Sequence, residues 1–559
     1  MADKGGGDEL LFLPLGGAGE IGMNLNLYAY GGKWLMVDLG ITFADERLPG
    51  IDVIMPDPTY IVERRDDLLG LVLTHAHEDH LGAVPYLWSR LKCPVYATPF
   101  TAAVLRRKLA RDGAALGSED LEITEVPLGG RFTLGPFDIE MISLTHSIPE
   151  PNALAIRTPA GTVLHTGDWK IDPDPVIGGV TDEDALRKLG DDGVLAMVCD
   201  STNVFRAGES GSEAALHENL LELVDDCAGR VAVACFASNV ARIKTVTEVA
   251  QDAGRHVALV GRSLWRITEA ARETGYLEGV TPFLGERDGA QLPDDKVLYL
   301  CTGCQGEPRA ALARIAAGSH PHVALGEGDL VIFSSKIIPG NELAINRLHN
   351  QLIALGIEVV TEDDHFIHVS GHPCRDELSR MYQWVRPEIA VPVHGEARHL
   401  VEHARFARSL QVPHPVLVEN GDLLRLAPGP AEVVDHVPFG RLIADGNALV
   451  NAESPTIRER RRLMHDGVAF VTLVMDSSGK LAAAPRVSAH GLFHPDHADE
   501  EEEALAEAAE DVRRAFAALP ATARANDRTL REAAQSAVRR RLKGRRGKRP
   551  VVEVQIVRL

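Results

Sequence analysis

The sequence predicts a multidomain protein of α/β and α+β class. A first domain of short strands and glycine turns is interrupted by a parallel α/β unit, and a smaller α/β domain closes the chain. Three observations predict this. Strand-and-turn units run to about residue 212, and beyond it strands alternate with helical stretches. From about residue 362 the first pattern resumes, which makes the middle segment an insertion. The 559 residues also leave room for about three domains at roughly 100–200 residues each. The expected division is a first domain in two parts (8–212 and 362–448), an inserted domain at 213–361, a linker at 449–466 and a C-terminal domain at 467–559.

Each element has a local reason. Residues 10–43 read as short strands between glycine turns, and Asn24-Leu-Asn-Leu-Tyr-Ala-Tyr30 alternates as a half-buried strand does. Residues 68–74 form an apolar run that delivers the chain into a His-rich loop. Strand-and-turn units follow through 141–145 and 162–165. In the inserted unit, 231–234, 256–260, 297–301 and 330–333 are apolar strands that end at small or polar residues. The polar stretch 451–460, with its Ser454-Pro455 pair, reads as a linker. The last domain has strands at 468–475 and 551–557 around two helical stretches, one acidic (499–510) and one basic (539–549).

Composition narrows the class. The net charge of −22 argues against a protein that coats nucleic acid, because phosphate repels an acidic surface. It leaves room for a nuclease whose bound metal ions reverse the sign locally. Residues 1–9 have no apolar core, so no secretory signal is expected. No run of about 18 apolar residues occurs, so no membrane span is expected. The seven cysteines are scattered and odd in number, which points to reduced thiols and a cytoplasmic location.

The strongest chemical signal is Thr74-His-Ala-His-Glu-Asp-His80, directly after an apolar strand. A loop can turn successive imidazoles toward one point, as a straight strand cannot. His75 and His77 can grip one ion while Asp79 and His80 grip a second, and imidazole with carboxylate suits zinc. A solvated polar loop is the plainer alternative, against which the spacing argues. His146, Asp168 and His394 each stand where an apolar strand gives way to a turn. Singly, such residues are most often satisfied turn or core residues; together they complete a two-metal shell. Asp38 ends another strand and could orient a ligand imidazole.

In this order, Asp38, His75 to His80, His146 and Asp168 resemble the four motifs of the metallo-β-lactamase superfamily. The resemblance implies an αββα sandwich with two zinc ions at one edge. One ion would lie on His75, His77, His146 and Asp168. The other would lie on Asp79, His80, Asp168 and His394, with Asp168 bridging. Asp200 in Val198-Cys-Asp-Ser-Thr-Asn203 is similar to the acidic motif that opens a β-CASP insert. His368 and His372 in His368-Val-Ser-Gly-His372 resemble the second β-CASP motif, and His394 resembles the third. The inserted unit is therefore expected to be a Rossmann-like β-CASP domain. His at the third position implies RNA as substrate, where the DNA-processing branch has Val.

Further strings resemble the ribonuclease J family. They are Leu15-Gly-Gly-Ala-Gly-Glu-Ile-Gly-Met-Asn24, His165-Thr-Gly-Asp-Trp-Lys170, Asp200-Ser-Thr-Asn203, Phe236-Ala-Ser-Asn239 and Ser334-Ser-Lys-Ile-Ile-Pro-Gly-Asn-Glu342. Cys304 departs from the family, where Ser is expected. The resemblance implies 5′-to-3′ exoribonuclease and endoribonuclease activity in mRNA decay and RNA 5′-end maturation, rRNA included. It implies Asp200 as proton donor and His372 as acceptor. It also implies a 5′-monophosphate pocket lined by Ser238, Asn239 and Val240 and by His368, Val369, Ser370, Gly371 and His372. Serine, glycine and backbone N–H groups can cradle a phosphate, although simple helix capping explains Ser238 and Asn239 equally well. The implied partners are single-stranded RNA, further copies of the chain (a homodimer or homotetramer) and an RNA-degradation complex. Mn²⁺ or Mg²⁺ could replace zinc. The rival readings are a DNA nuclease, a small-molecule hydrolase such as a lactamase, and a non-catalytic RNA-binding scaffold.

Four signals carry less. Gly17-Ala-Gly-Glu-Ile-Gly22 matches a dinucleotide loop, but a strand follows where a helix is needed. Cys301-Thr-Gly-Cys304 has no second pair and reads as a buried strand end. The basic run 539–549 fits either RNA contact or a solvated face that balances the acidic helix. Asp52 and Asp445 could help hold a structural Ca²⁺, or be solvated turn residues.

Overall fold

The computed structural model describes residues 7–559 except 46, 119, 339, 495, 497 and 521, and omits the side chains of 112, 114 and 115. The N-terminal residues 1–6 and Pro339, on which sequence expectations touched, lie outside the described residues. The chain forms two compact units, Met1–Thr42 with Met55–Arg441 and Phe43–Ile54 with Leu442–Leu559.

The first unit is built on two facing sheets. One has eight strands, in the order Glu432–His436, Asp422–Ala427, Leu10–Gly16, Leu25–Tyr30, Lys33–Val37, Leu68–Val72, Val95–Ala97 and Ile123–Glu125. The other has seven, in the order Arg131–Leu134, Phe137–Ser143, Asn152–Thr158, Gly161–His165, Ala196–Asp200, Ile389–Val393 and His414–Pro415. Side chains alternate along a strand, and that period places the core. Phe12, Tyr28, Leu35 and Val72 of the first sheet pack with Ile139, Met141, Leu154, Ile156 and Val198 of the second. The opposite parity of the second sheet (Ile142, Ala153, Ala155, Met197, Ala390) packs on Leu186, Leu189, Leu378, Met381 and Trp384 of the helices Glu183–Asp192 and Arg375–Val385. The first sheet's other face, with Leu13, Leu27, Met36 and Leu71, is buried too. Its parallel strands are joined by crossovers that contain the helices Val84–Leu91 and Pro99–Leu116. This is the αββα sandwich that the sequence led us to expect.

A third sheet lies within 231–360. Its six strands (Leu284–Gly285, His256–Val260, Val297–Cys301, Val231–Ala234, Leu330–Phe333, Glu358–Val360) all run parallel. Helices such as Val240–Asp252, Arg262–Glu273 and Glu342–Ala354 connect them. These strands read as continuous apolar runs because a parallel sheet is buried on both faces.

In the second unit, Val468–Met475 pairs antiparallel with Arg486–His490 and parallel with Val551–Arg558. The helices Ala498–Ala518 and Asp527–Arg546 supply Ala508, Val512, Ala534, Ala537 and Leu542 to its core. Arg541, Arg545 and Arg546 of the basic run pair with Glu507, Asp511, Glu503 and Glu500 of the acidic helix. Those three charges are answered within the unit, which favours the balancing role over RNA contact.

Most of the expected linker, 449–466, is helical. Residues 455–466 form the helix Pro455–Asp466, with Pro455 in its first turn and Ile457 buried. Proline suits that position because its missing N–H has no helical partner there. The stretch 456–464 is rich in good helix formers, a signal hidden by its polarity. Of the two residues in the structural Ca²⁺ idea, Asp445 has a cationic side chain as its partner. Both carboxylate oxygens of Asp445 accept from Arg460, at 2.9 and 2.7 Å. No cluster of three or more ligand residues forms around Asp52 and Asp445 among the described residues.

Candidate metal centre and substrate loop

The functional side chains collect where strands of the first unit end. Gly161–His165, Ala196–Asp200 and Ile389–Val393 are parallel neighbours, with His165 opposite Val198 and Asp200 opposite Val393. Asp168, Asp200 and His394 therefore leave the same edge of one sheet, as the crevice rule for parallel strands requires. The strand Leu68–Val72 delivers His75 and His77, and Asp79 and His80 follow in the one-turn helix Glu78–Leu81. His146 arrives from the loop after Phe137–Ser143.

Among the described residues three overlapping groups of ligand atoms result: His75, His77, His146 and Asp168; Asp79, His80, Asp168 and His394; and Asp168, Asp200, His372 and His394. In the first, His77 Nδ1 lies 3.0 Å from His75 Nε2 and 3.1 Å from His146 Nε2. In the second, Asp79 Oδ2 lies 3.0 Å from His394 Nε2 and 3.6 Å from His80 Nε2, and Asp168 Oδ2 lies 3.2 Å from His80 Nε2. Ligand atoms around a tetrahedral zinc are about 3.3–3.6 Å apart.

Hydrogen-bond accounting shows that these residues fit a cation. His146 Nδ1 faces the carbonyl of Gly371, which can only accept, so that nitrogen carries the proton and Nε2 is bare. Thr74 Oγ1 donates to Asp38 Oδ2 at 2.9 Å and so accepts from His75 Nδ1 at 3.0 Å, leaving His75 Nε2 bare as well. Two lone pairs thus converge on His77 Nδ1, which can offer one proton at most. Asp168 Oδ1 is buried with no hydrogen-bond partner. Bare nitrogens and an orphaned carboxylate oxygen are what a divalent ion satisfies.

The electrostatics agree. Burial pushes His75 and His146 well below the ordinary histidine range, and His77 down to about 4, so these rings stay neutral. Burial also disfavours charge on His80 and His394, but Asp168, Asp79 and their neighbours outweigh it and raise both. The negative field that raises these rings favours a cation among them, and a bound metal would displace their protons.

Asp38 takes the orienting role expected of it. It accepts from His80 Nδ1 at 2.7 Å and from the Thr74 N–H at 2.8 Å, in a left-handed backbone conformation (φ 63°). His394 is left-handed too (φ 50°). Such backbone strain at two site residues persists only where the surroundings enforce it.

Beside the metal groups, Asp200 Oδ2 lies 2.8 Å from His372 Nδ1. The other Asp200 oxygen accepts from Thr202, from its N–H at 2.8 Å and from its hydroxyl at 2.7 Å. Burial would raise the Asp200 carboxyl, but the imidazole of His372 and hydrogen bonds from His372 and His394 hold it well below the usual carboxylate range. Burial alone would lower His372, yet Asp200 and Asp168 raise it. Both directions favour the ionised pair, an Asp200 carboxylate beside a protonated His372.

The loop 368–372 packs against the candidate metal ligands. A Cβ on Gly371 would come within 2.7 Å of the His146 ring, so glycine is required for the loop to reach it. The other proposed phosphate segment is less direct. Asn239 caps the helix Val240–Asp252 by accepting from the Arg242 N–H at 2.8 Å, and Ser238 and Val240 flank that cap. Arg242, which the sequence reading missed, joins this helix to the loop. It is fully buried, donates to Ile367 O at 3.2 Å and to Ser334 O at 2.8 Å, and pairs with Glu213. Arg242→Met would strand the buried Glu213 charge and is expected to destabilise the fold by about 3–5 kcal/mol. The urea unfolding midpoint checks this, and an unchanged midpoint would refute it.

Known protein families match successive stretches of the chain. The chain matches family models for the metallo-beta-lactamase superfamily over 23–188, the ribonuclease J beta-CASP domain over 228–352, the RNA specificity domain of Zn-dependent metallo-hydrolases over 356–414 and the ribonuclease J C-terminal domain over 455–559. It is 48% identical to the ribonuclease J of Sinorhizobium meliloti over 99% of this chain and 98% of that one. It is 40% identical to the ribonuclease J of Mycolicibacterium smegmatis (91% and 90% covered) and 36% identical to that of Thermus thermophilus (83% and 82%). Among solved structures, a protein of unknown function from Enterococcus faecalis matches 75% of this chain and all of its own at TM-score 0.50 and 16% identity, a likeness of fold alone.

Proposed function

Since the chain belongs to the ribonuclease J family and is a metal-dependent RNA hydrolase, we propose that it degrades single-stranded RNA from a 5′-monophosphate end and also cuts internally. The observation that carries this reading is the joining of a two-ion ligand set to the 368–372 loop through His146 and Gly371. Its role is mRNA decay and 5′-end maturation of rRNA and other RNAs. The proposed cofactor is two Zn²⁺ per chain, on His75, His77, His146 and Asp168 and on Asp79, His80, Asp168 and His394, with Mn²⁺ or Mg²⁺ as substitutes. A bound ion pair supplies an activated water and neutralises charge on the scissile phosphate.

The chain's own residues do the rest. Asp38 and Thr74 keep His80 and His75 turned inward. The 368–372 loop holds the terminal phosphate, and the buried segment around Arg242 supports it. Asp200 fixes His372 by its Nδ1, which leaves His372 Nε2 to deliver a proton to the leaving 3′-oxygen. The domain division at 212/213, 361/362 and 448/449 belongs to the same reading and is supported by the parallel sheet lying within 231–360. A homodimer or homotetramer in the cytoplasm, engaged in an RNA-degradation complex, completes it. Among the described residues no helix is long and apolar enough to cross a membrane, and all seven cysteines are free.

The test is a cleavage assay on one RNA with a 5′-monophosphate or a 5′-triphosphate, beside the matching DNA. Mononucleotide release mainly from the monophosphate RNA is expected. A chelator should abolish it, and added Zn²⁺ or Mn²⁺ should restore it. Equal cutting of the DNA, or chelator-resistant cleavage, would overturn the reading.

A further inference from the structure

The turn 200–203 leaves the strand Ala196–Asp200 with four polar side chains in a row, and each grips a different part of the site. Asp200 holds His372. Ser201 Oγ bonds the buried His403 at 2.8 Å, whose other nitrogen bonds the Tyr382 hydroxyl at 2.9 Å. Thr202 Oγ1 lies 3.0 Å from His394 Nδ1. Asn203 Nδ2 donates to Ser370 Oγ at 2.8 Å and to the backbone oxygen of His372 at 3.0 Å. The turn is thus anchored below by a helix-borne histidine and spans from a metal-facing imidazole to the substrate loop.

The last contact has a chemical consequence. The orientation of the Asn203 amide is fixed, because the carbonyl of His372 can only accept and so must face the NH₂ group. Both Asn203 protons are then in use, one on that carbonyl and one on Ser370 Oγ. Ser370 Oγ also accepts from the His372 N–H, at 3.2 Å. Two accepted hydrogen bonds use both lone pairs of the hydroxyl oxygen. What remains is its proton, and Ser370 is only partly buried, with that proton free for an incoming group.

We propose that Asn203 is a positioning residue that makes Ser370 a dedicated hydrogen-bond donor to the 5′-phosphate of the RNA. This rests on the 5′-monophosphate reading above. A serine hydroxyl left to itself can rotate and accept or donate. One whose lone pairs are filled can only donate, which favours an anionic phosphate, a stronger acceptor, over a neutral 5′-hydroxyl. Asn203 makes no contact with the terminal phosphate in this scheme. It acts through Ser370 and through the shape of the loop.

Asn203→Asp tests the idea at constant shape. It replaces the donating NH₂ by a carboxylate oxygen, which takes the Ser370 proton for itself. The probe is an uncleavable phosphorothioate RNA trinucleotide, 5′-phosphorylated or 5′-hydroxylated, titrated into the metal-loaded protein. The measured quantity is the ratio of the two affinities. In N203D the ratio is expected to fall about tenfold or more, the size of a lost hydrogen bond to a charged group. N203A should lower it less, since the hydroxyl becomes free but not misdirected. S370A should lower it as far as N203D, and N203D with S370A should lower it no further, because both changes remove one donor. A variant that simply distorted the loop would weaken both oligonucleotides together. Additive losses in the double variant, or an unchanged ratio in N203D, would overturn the role of Asn203 and leave the phosphate pocket standing. A wild-type ratio near one would overturn the pocket itself, and the inference with it.

Discussion

Asp168→Ala is expected to leave a folded protein that retains fewer than two divalent ions and cleaves RNA on the order of 10³-fold more slowly or worse, a loss of about 4 kcal/mol in transition-state stabilisation. Asp168 belongs to every ligand group at this edge of the sheet. Its Oδ2 lies 3.2 Å from His80 Nε2, 3.9 Å from His372 Nδ1 and 4.0 Å from His75 Nε2, while its Oδ1 meets no donor. Among the described residues it is the carboxylate shared by all three groups. Burial would favour its neutral form, yet His394, His80 and His372 hold it ionised, well below the usual carboxylate range. Removing it deletes the charge that draws a cation into an otherwise imidazole-rich pocket. The backbone cost should be small, since the side chain anchors no loop through hydrogen bonds of its own. Metal analysis of the purified variant and single-turnover cleavage check this. Full occupancy with normal cleavage would remove Asp168 from the centre. Full occupancy with lost cleavage would confine its part to the reaction itself.

How much of this could be read from the sequence depends on distance along the chain. The His75–His80 loop is compact, and its spacing alone specifies converging ligands. His146, Asp168 and His394 each follow an apolar strand, a position a sequence reveals, although only the parallel pairing of Gly161–His165, Ala196–Asp200 and Ile389–Val393 brings their ends together. The sandwich was legible because antiparallel strands alternate and end at glycine. The inserted parallel sheet was legible because its strands do not alternate. Contacts across the fold were not. Asn203 meets Ser370 from 167 residues away, and Arg242 meets Ser334 across 92. Nothing local in Asp-Ser-Thr-Asn says which partner each hydroxyl or amide will find. The helix Pro455–Asp466 was missed because exposed arginines and glutamates look alike in a helix and in a linker. The side of the proton in the Asp200–His372 pair was not legible for a related reason. It depends on how many donors reach the carboxylate, which residue type cannot disclose.

Asp200→Asn is expected to keep both metal ions and near-normal RNA binding while slowing cleavage by about 10²–10⁴-fold, the usual worth of a positioned acid or base. Asn is isosteric, and its carbonyl can still accept from the Thr202 N–H and hydroxyl. Its NH₂ then faces His372 Nδ1, where the carboxylate oxygen had been 2.8 Å away. Two donors cannot share that line, so the ring must leave Nδ1 bare and carry its proton on Nε2. The carboxylate that favours the charged ring is gone as well. A neutral imidazole is a much weaker acid than the imidazolium that Asp200 supports, and the leaving 3′-oxygen needs a proton more than any other atom in the reaction. The leaving group separates this account from its rival, in which Asp200 helps hold an ion. A nucleotide p-nitrophenyl ester departs as a stable anion that requires no proton. If His372 with Asp200 supplies the proton, the Asp200→Asn defect should shrink toward tenfold or less on that ester while remaining large on RNA. If Asp200 is instead a metal ligand, the ester and the RNA should suffer alike, and the variant should lose metal. Equal defects with full metal occupancy would contradict the proton role as well, and would assign Asp200 to holding the substrate loop through His372.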